Sequence, residues 1–178
     1  MVLTEMYNRL RVMLLPALAL LLLAGCVSTT SGGFTEKADP DKALERRVEL
    51  ARKYIGEGNW EDAKRNLRLA NNINPRNAEV HEAFALVYQS TGEYELAEEH
   101  FKTAIGLDKN FSRARNNYAA FLYAQARYGE AEKQLEFVVR DTLYEARPRA
   151  FINLGLCRLR LFDDQGAEEA FRRALAMD

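Results

Sequence analysis

The chain has only two cysteines, two histidines and four prolines among its 178 residues. Two cysteines cannot build a disulfide framework or a four-ligand zinc site. Two isolated histidines supply little for acid–base or metal chemistry. Neither sign of charge is in excess, since 25 Lys and Arg face 26 Asp and Glu for a formal charge of −1. A phosphate binder usually carries a clear basic surplus, so nucleic acid is not an expected partner. No spacing pairs a nucleophile with a base, or two carboxylates with each other, as a hydrolase would require. No catalytic residue, cofactor, metal or small-molecule substrate is therefore expected. What the chain does have is an ordinary apolar share of 48%, which suits one globular domain or a short array of repeats.

The N-terminus has its own composition. Arg9 and Arg11 precede an uncharged apolar run at residues 12–23. A spanning helix takes about 20 apolar residues, so this run reads as the core of an export signal. It ends in Leu23, Ala24, Gly25 and Cys26, which resembles a bacterial lipobox. The resemblance implies that Cys26 is lipidated and that residues 1–25 are a signal peptide. Val27 stands where an Asp would favour inner-membrane retention, which implies an outer-membrane lipoprotein facing the periplasm. Residues 26–39, with their Ser-Thr-Thr-Ser-Gly-Gly stretch, read as a flexible tether.

From Asp39 onward helical spacing dominates. Gly58 and Gly92, Trp60 and Tyr94, Ala63 and Ala97, Leu67 and Phe101, and Ala70 and Ala104 are each 34 residues apart. A third copy continues with Tyr128, Ala131, Leu135 and Val138. A fourth, two residues further on, has Leu154, Gly155, Ala167, Phe171 and Ala174. The period and its residue types resemble the tetratricopeptide repeat. Ala126 and Phe162 stand where that pattern has a turn glycine. The expected fold is all-α, a right-handed superhelix of about four helix pairs over residues 40–178. Its repeats are expected at about 44–77, 78–111, 112–147 and 148–178.

In this repeat class the first helix of each pair lines a concave groove. Helical spacing places Glu45, Val48, Arg52, Glu79, Glu82, Leu86 and Gln89 there. In the later repeats it adds Arg113, Asn116, Asn117, Tyr123, Arg149, Ile152, Asn153 and Leu156. Asn117 and Asn153 occupy the same place in their repeats. An amide there serves the backbone of an extended peptide, or else a neighbouring helix or water. Leu86, Tyr123, Ile152 and Leu156 read as an apolar strip, or as inter-helix core if the phase is off by one. Glu98-Glu99 and Arg172-Arg173 read as solvated faces, His81 and His100 as packing or surface residues, and Cys157 as a buried thiol.

A more specific resemblance lies in the third and fourth repeats. Its residues are Asn116 with Asn117, Tyr118, Ala119, Arg127, Tyr128, Gly129, the Asp141-Thr142-Leu143-Tyr144 stretch, Arg147, and Phe151 to Leu156. Together with the lipobox these resemble the type IV pilus biogenesis/stability lipoproteins of the PilW/PilF family. The resemblance implies a non-enzymatic pilotin on the periplasmic face of the outer membrane. It would hold a subunit of the secretin, the ring-forming pilus channel, and help it reach the membrane and multimerise. The competing readings are a repeat lipoprotein serving β-barrel assembly or peptidoglycan machinery, and a periplasmic hydrolase. Family members have about two further repeats. An exposed face around Phe171, Ala174 and Leu175, open to self-association, is therefore expected.

Overall fold

The computed structural model describes residues 39–177. Residues 1–25, expected to be a signal peptide, Cys26 and most of the expected tether lie outside the described residues. Eight helices and no strand are found among those described. They are α1 (Pro40–Gly56), α2 (Trp60–Ile73), α3 (Ala78–Thr91), α4 (Tyr94–Leu107), α5 (Ser112–Ala124), α6 (Tyr128–Val138), α7 (Arg147–Arg160) and α8 (Asp164–Leu175). Each odd-numbered helix packs chiefly on its even-numbered successor. The result is the tetratricopeptide superhelix.

Local chemistry starts these helices. Asp39 accepts from the backbone N–H groups of Asp41 and Lys42, and Pro40 opens α1 with its φ already helical. Asn59, Asn77 and Asp163 cap α2, α3 and α8 in the same way. The first helix of every pair stops in a Schellman turn. Asn59, Glu93, Arg127 and Asp163 donate their N–H groups to the carbonyls of Tyr54, Tyr88, Leu122 and Arg158, each at 2.9 Å. This turn needs one left-handed residue, and Gly58 (φ 71°) and Gly92 (φ 82°) supply it freely. Ala126 (φ 58°) and Phe162 (φ 63°) adopt the same conformation with a side chain, at about 1–2 kcal/mol each. The geometry thus survives where the glycine of the pattern is missing.

Small residues at the helix contacts explain the 34-residue pattern. Ala63, Ala70, Ala97, Ala104, Ala131 and Ala167 are all fully buried, so paired helices approach closely. Large residues fill the space between pairs. Leu44, Val48, Leu67, Val80, Phe84 and Val87 form one cluster across the first two repeats. Phe101, Tyr118, Phe121, Leu122, Leu135, Phe151 and Leu154 form another that continues to the fourth. At the last pair the Phe171 ring lies on the backbone of Gly155, where a Cβ would collide with it.

Polar clamps on the outer side join the repeats. Arg127 donates to Glu98 at 2.7 and 3.0 Å and to Glu130 at 2.7 Å. Glu98 also accepts from Tyr118 at 2.9 Å and pairs with Lys102 at 2.8 Å. Glu98 is therefore not the solvated residue that its sequence suggests, because the next repeat folds back over it. Arg172 and Arg173 do lie exposed, paired with Glu168 and Glu169 one turn away. The 141–144 stretch is a staple. Asp141 accepts from the Ser112 hydroxyl, and Arg147 Nε donates to the Val139 carbonyl at 2.7 Å.

The guanidinium of Arg127, with help from Lys102 and Tyr118, holds the Glu98 carboxyl at about 2 against a usual 4.5. A lowered value means that the carboxylate stabilises fully above about pH 5, and that this contribution fades as the pH falls towards 2. Glu98→Gln should cost about 1–2 kcal/mol at pH 7, discounted for partial exposure, and nothing near pH 2. Urea unfolding of both proteins across that range checks this. A pH-independent difference would disprove it.

The two histidines pack within the second repeat. His81 Nε2 donates to the Pro75 carbonyl, which leaves its Nδ1 to accept from His100 Nδ1 at 3.0 Å. Burial first, and His81 second, lower the pKa of His100. Cys157 is buried, and burial pushes its thiol up to about 11, so it stays protonated and unreactive at neutral pH.

Candidate functional site

Helices α1, α3, α5 and α7 touch one another in succession, whereas α2, α4, α6 and α8 do not. The stack therefore curves with its odd-numbered helices on the inner, concave side. Their contacts repeat as rungs. Val48, Glu82, Asn116 and Ile152 occupy one equivalent position, and Ala83, Asn117 and Asn153 occupy the next one, a repeat later. The corresponding pair in the first two repeats is Val48 and Ala83, both buried in one apolar cluster. The second is Glu82 with Asn117, whose amide donates at 2.6 Å. The third is Asn116 with Asn153, whose amide donates at 3.3 Å.

The second rung is the electrostatic centre of the groove. Glu82 is completely buried, yet Arg52 Nη2 reaches it at 2.7 Å and Arg113 Nε lies 3.8 Å away. A buried carboxylate needs such partners, because losing its hydration costs several kcal/mol. Glu79, on the exposed side, bridges the same two arginines at 3.4 and 3.1 Å. Two acids on α3 thus bind one arginine from α1 and one from α5, locking three consecutive repeats.

This arrangement reassigns much of the groove read from sequence. Glu82 and Asn116 are buried and cannot touch a ligand. Asn117 and Asn153 spend an amide N–H on the neighbouring helix, the alternative left open above. Arg113 is already paired by Glu79. Leu86 and Tyr123 are half-buried against the core, while Tyr123 also accepts from Arg160 Nε at 3.1 Å. Gln89 is half-buried on the same face. Only Ile152 and Leu156 keep large apolar surfaces in the open.

What remains accessible is two unlike ends. Near the first repeat a cavity of about 480 Å³ has a Leu44–Val48 floor, with four acids, Asp41, Glu45, Glu49 and Glu79, against two arginines, Arg52 and Arg113, on its walls. Near the fourth a cavity of about 500 Å³ is mainly apolar, between Pro148, Ile152, Phe171 and Leu175. The face expected around α8 is smaller than the sequence suggests. Ala174 is buried and Phe171 is half-covered by its seat on Gly155, which leaves Leu175 as the exposed member. Sequence reasoning missed the rungs and the Arg52–Glu82–Arg113 lock. Their partners are 30 or more positions apart in the chain, so no local pattern announces them.

A tetratricopeptide repeat family model matches residues 78–111, the second repeat. The chain is 40% identical over 159 residues to the type IV pilus assembly protein PilF of Pseudomonas aeruginosa. The match covers 88% of this chain and 62% of that relative, so the chain spans under two thirds of its length. The solved structure of Pseudomonas aeruginosa PilF superimposes with a TM-score of 0.76, covering 78% of this chain and 63% of that one. The crystal structure of PilW, a widely conserved type IV pilus biogenesis factor, superimposes with a TM-score of 0.70 at 24% identity. That overlap covers 75% of this chain and 61% of PilW, and it supports the fold alone.

Proposed function

The chain belongs to the PilF/PilW family of tetratricopeptide-repeat proteins, and on that premise we propose that it is a non-enzymatic assembly factor for type IV pili. The extent of sequence shared with the Pseudomonas protein carries this reading. On this proposal the chain is a lipoprotein, acylated at Cys26 and held on the periplasmic face of the outer membrane. Its cargo is a subunit of the pilus secretin. The groove supports a binding role, because it offers shallow acidic and apolar ends on a rigidly locked middle.

Anchoring would do much of the work. Each buried CH₂ contributes about 0.8 kcal/mol, so several acyl chains hold firmly where one does not. Confinement to the membrane raises the local concentration of cargo, and weak contacts along the groove then suffice. Cys26→Ser should leave the helical domain folded but shift it from the membrane to the soluble fraction. Secretin multimers should fall at least tenfold on a non-denaturing gel. Multimers at the normal level in that strain would refute tethering, and secretin failing to co-purify with the native chain would refute the choice of cargo.

A further inference from the structure

Each joint between repeats is a trough in which the first helix of the next pair lies, and both helices of the pair before form its floor. In the second pair, Glu82 of α3 holds Asn117, while Phe101 of α4 meets the Tyr118 and Phe121 rings at 5.5 and 5.7 Å. Glu98 of α4 accepts from Tyr118 and Arg127. In the third pair, Asn116 accepts from Asn153, and Tyr123 accepts from Arg160. The equivalent positions in the last pair are Ile152 and Leu159 on α7, and Phe171 and Glu168 on α8.

Among the described residues nothing covers that last trough. Ile152, Leu156 and Leu159 follow one another by single helical turns along α7 and are 44, 40 and 43% exposed. Leu175 on α8 is 75% exposed, and the cavity of about 500 Å³ lies between it and Ile152. Large apolar side chains gathered in the open at one place mark an interaction site, whereas scattered ones do not. Glu168 has Arg172 of its own helix at 2.6 Å. Glu98 has a like partner in Lys102 and takes Arg127 besides. A second copy stacked head to tail would bring its α1 into the trough. That helix carries Arg46, Glu49 and Lys53, all exposed, where α3 carries Val80, Ala83 and Val87, all fully buried. Laying three charges on an apolar floor is costly, so α1 is the wrong occupant.

We propose that an amphipathic helix of a partner polypeptide docks in this trough, in the place that the first helix of a further repeat would take. The other joints set its chemistry. A small residue faces Ile152, as Ala83 shares a buried cluster with Val48. Large apolar residues on the same face cover Leu156, Phe171 and Leu175. A basic residue just past its last turn meets Glu168, as Arg127 meets Glu98. The inference depends neither on the secretin as cargo nor on the lipid anchor.

The test places the full chain in phosphatidylcholine vesicles and measures a fluorescein-tagged peptide in the vesicle pellet, with empty vesicles as the blank. The peptide copies residues 77–91, the α3 segment, followed by Gly-Lys. It should bind at least about tenfold more tightly than the same peptide with Phe84→Ser and Val87→Ser, which loses two apolar anchors. In the full chain, Ile152→Asp and Leu175→Glu should each weaken binding about tenfold, since each sets a charge on the floor. Both side chains are largely exposed, so these variants should keep the native circular dichroism spectrum. Ending the peptide in Gly-Glu should weaken binding about threefold, and Glu168→Lys should reverse that preference. A pellet no richer than the blank at about 1 mM peptide, equal binding of the serine peptide, or unaltered binding by Ile152→Asp and Leu175→Glu would overturn the proposal. So would a tail preference that Glu168→Lys leaves unchanged. A crosslinked dimer of the chain that Leu175→Glu abolishes would assign the trough to a second copy and would equally overturn it.

Discussion

Phe101→Ala is expected to lower the unfolding free energy by about 4 kcal/mol, the middle of the range for deleting a buried aromatic ring. Phe101 is fully buried, and its ring lies 5.5 Å from Tyr118 and 5.7 Å from Phe121. Those two rings belong to the next repeat, so the substitution empties the joint between the second and third pairs. A linear stack is stabilised by contacts between nearest neighbours, and no distant contact replaces a weakened joint. Phe101→Leu keeps most of the volume and should cost about 1–1.5 kcal/mol. Urea unfolding followed by circular dichroism separates the two variants. A cost below about 1 kcal/mol for the alanine variant would mean that the joint is not where the stability lies.

Arg52→Ala should cost about 2–3 kcal/mol, slightly below the usual penalty for breaking a buried ion pair. Glu82 would keep Asn117 and a longer contact with Arg113, which softens the loss. The informative comparison is a transplant. Changing Glu82 to Val and Asn117 to Ala together copies the Val48–Ala83 rung into the next repeat. The double variant also takes Glu82 away from Arg52 and Arg113, whereas Asn117→Ala alone keeps those ion pairs. It should therefore unfold at a lower urea concentration than Asn117→Ala alone. The reverse order would show that the buried carboxylate is not a net source of stability.

Repeat period, helix pairing and turn positions were readable from sequence, because each rests on residues that recur at fixed spacing. Gly58, Gly92 and the buried alanines are of this kind. Even Ala126 and Phe162 could be placed, since the surrounding pattern dictates the turn whatever residue fills it. The groove was harder to read. Helical phase put Glu82, Asn117 and Asn153 on the right face, but phase says nothing of how deep a side chain sits or which neighbour reaches it first. Glu98 was misread for the same reason, since its partner Arg127 is 29 positions away in the chain. Long-range polar partners leave no local signature.

The rungs of the inner face are all different: aliphatic on aliphatic, acid on amide, amide on amide. In most stacked arrays any unit can follow any other, and such arrays grow or shrink by copying a module. Here a duplicated or transposed module would set a carboxylate against a methyl group, or strand an amide without its mate. The order of the four units is thereby written into their seams, like teeth cut to fit a single neighbour. Shuffled versions of this chain should assemble poorly even when every unit is individually sound.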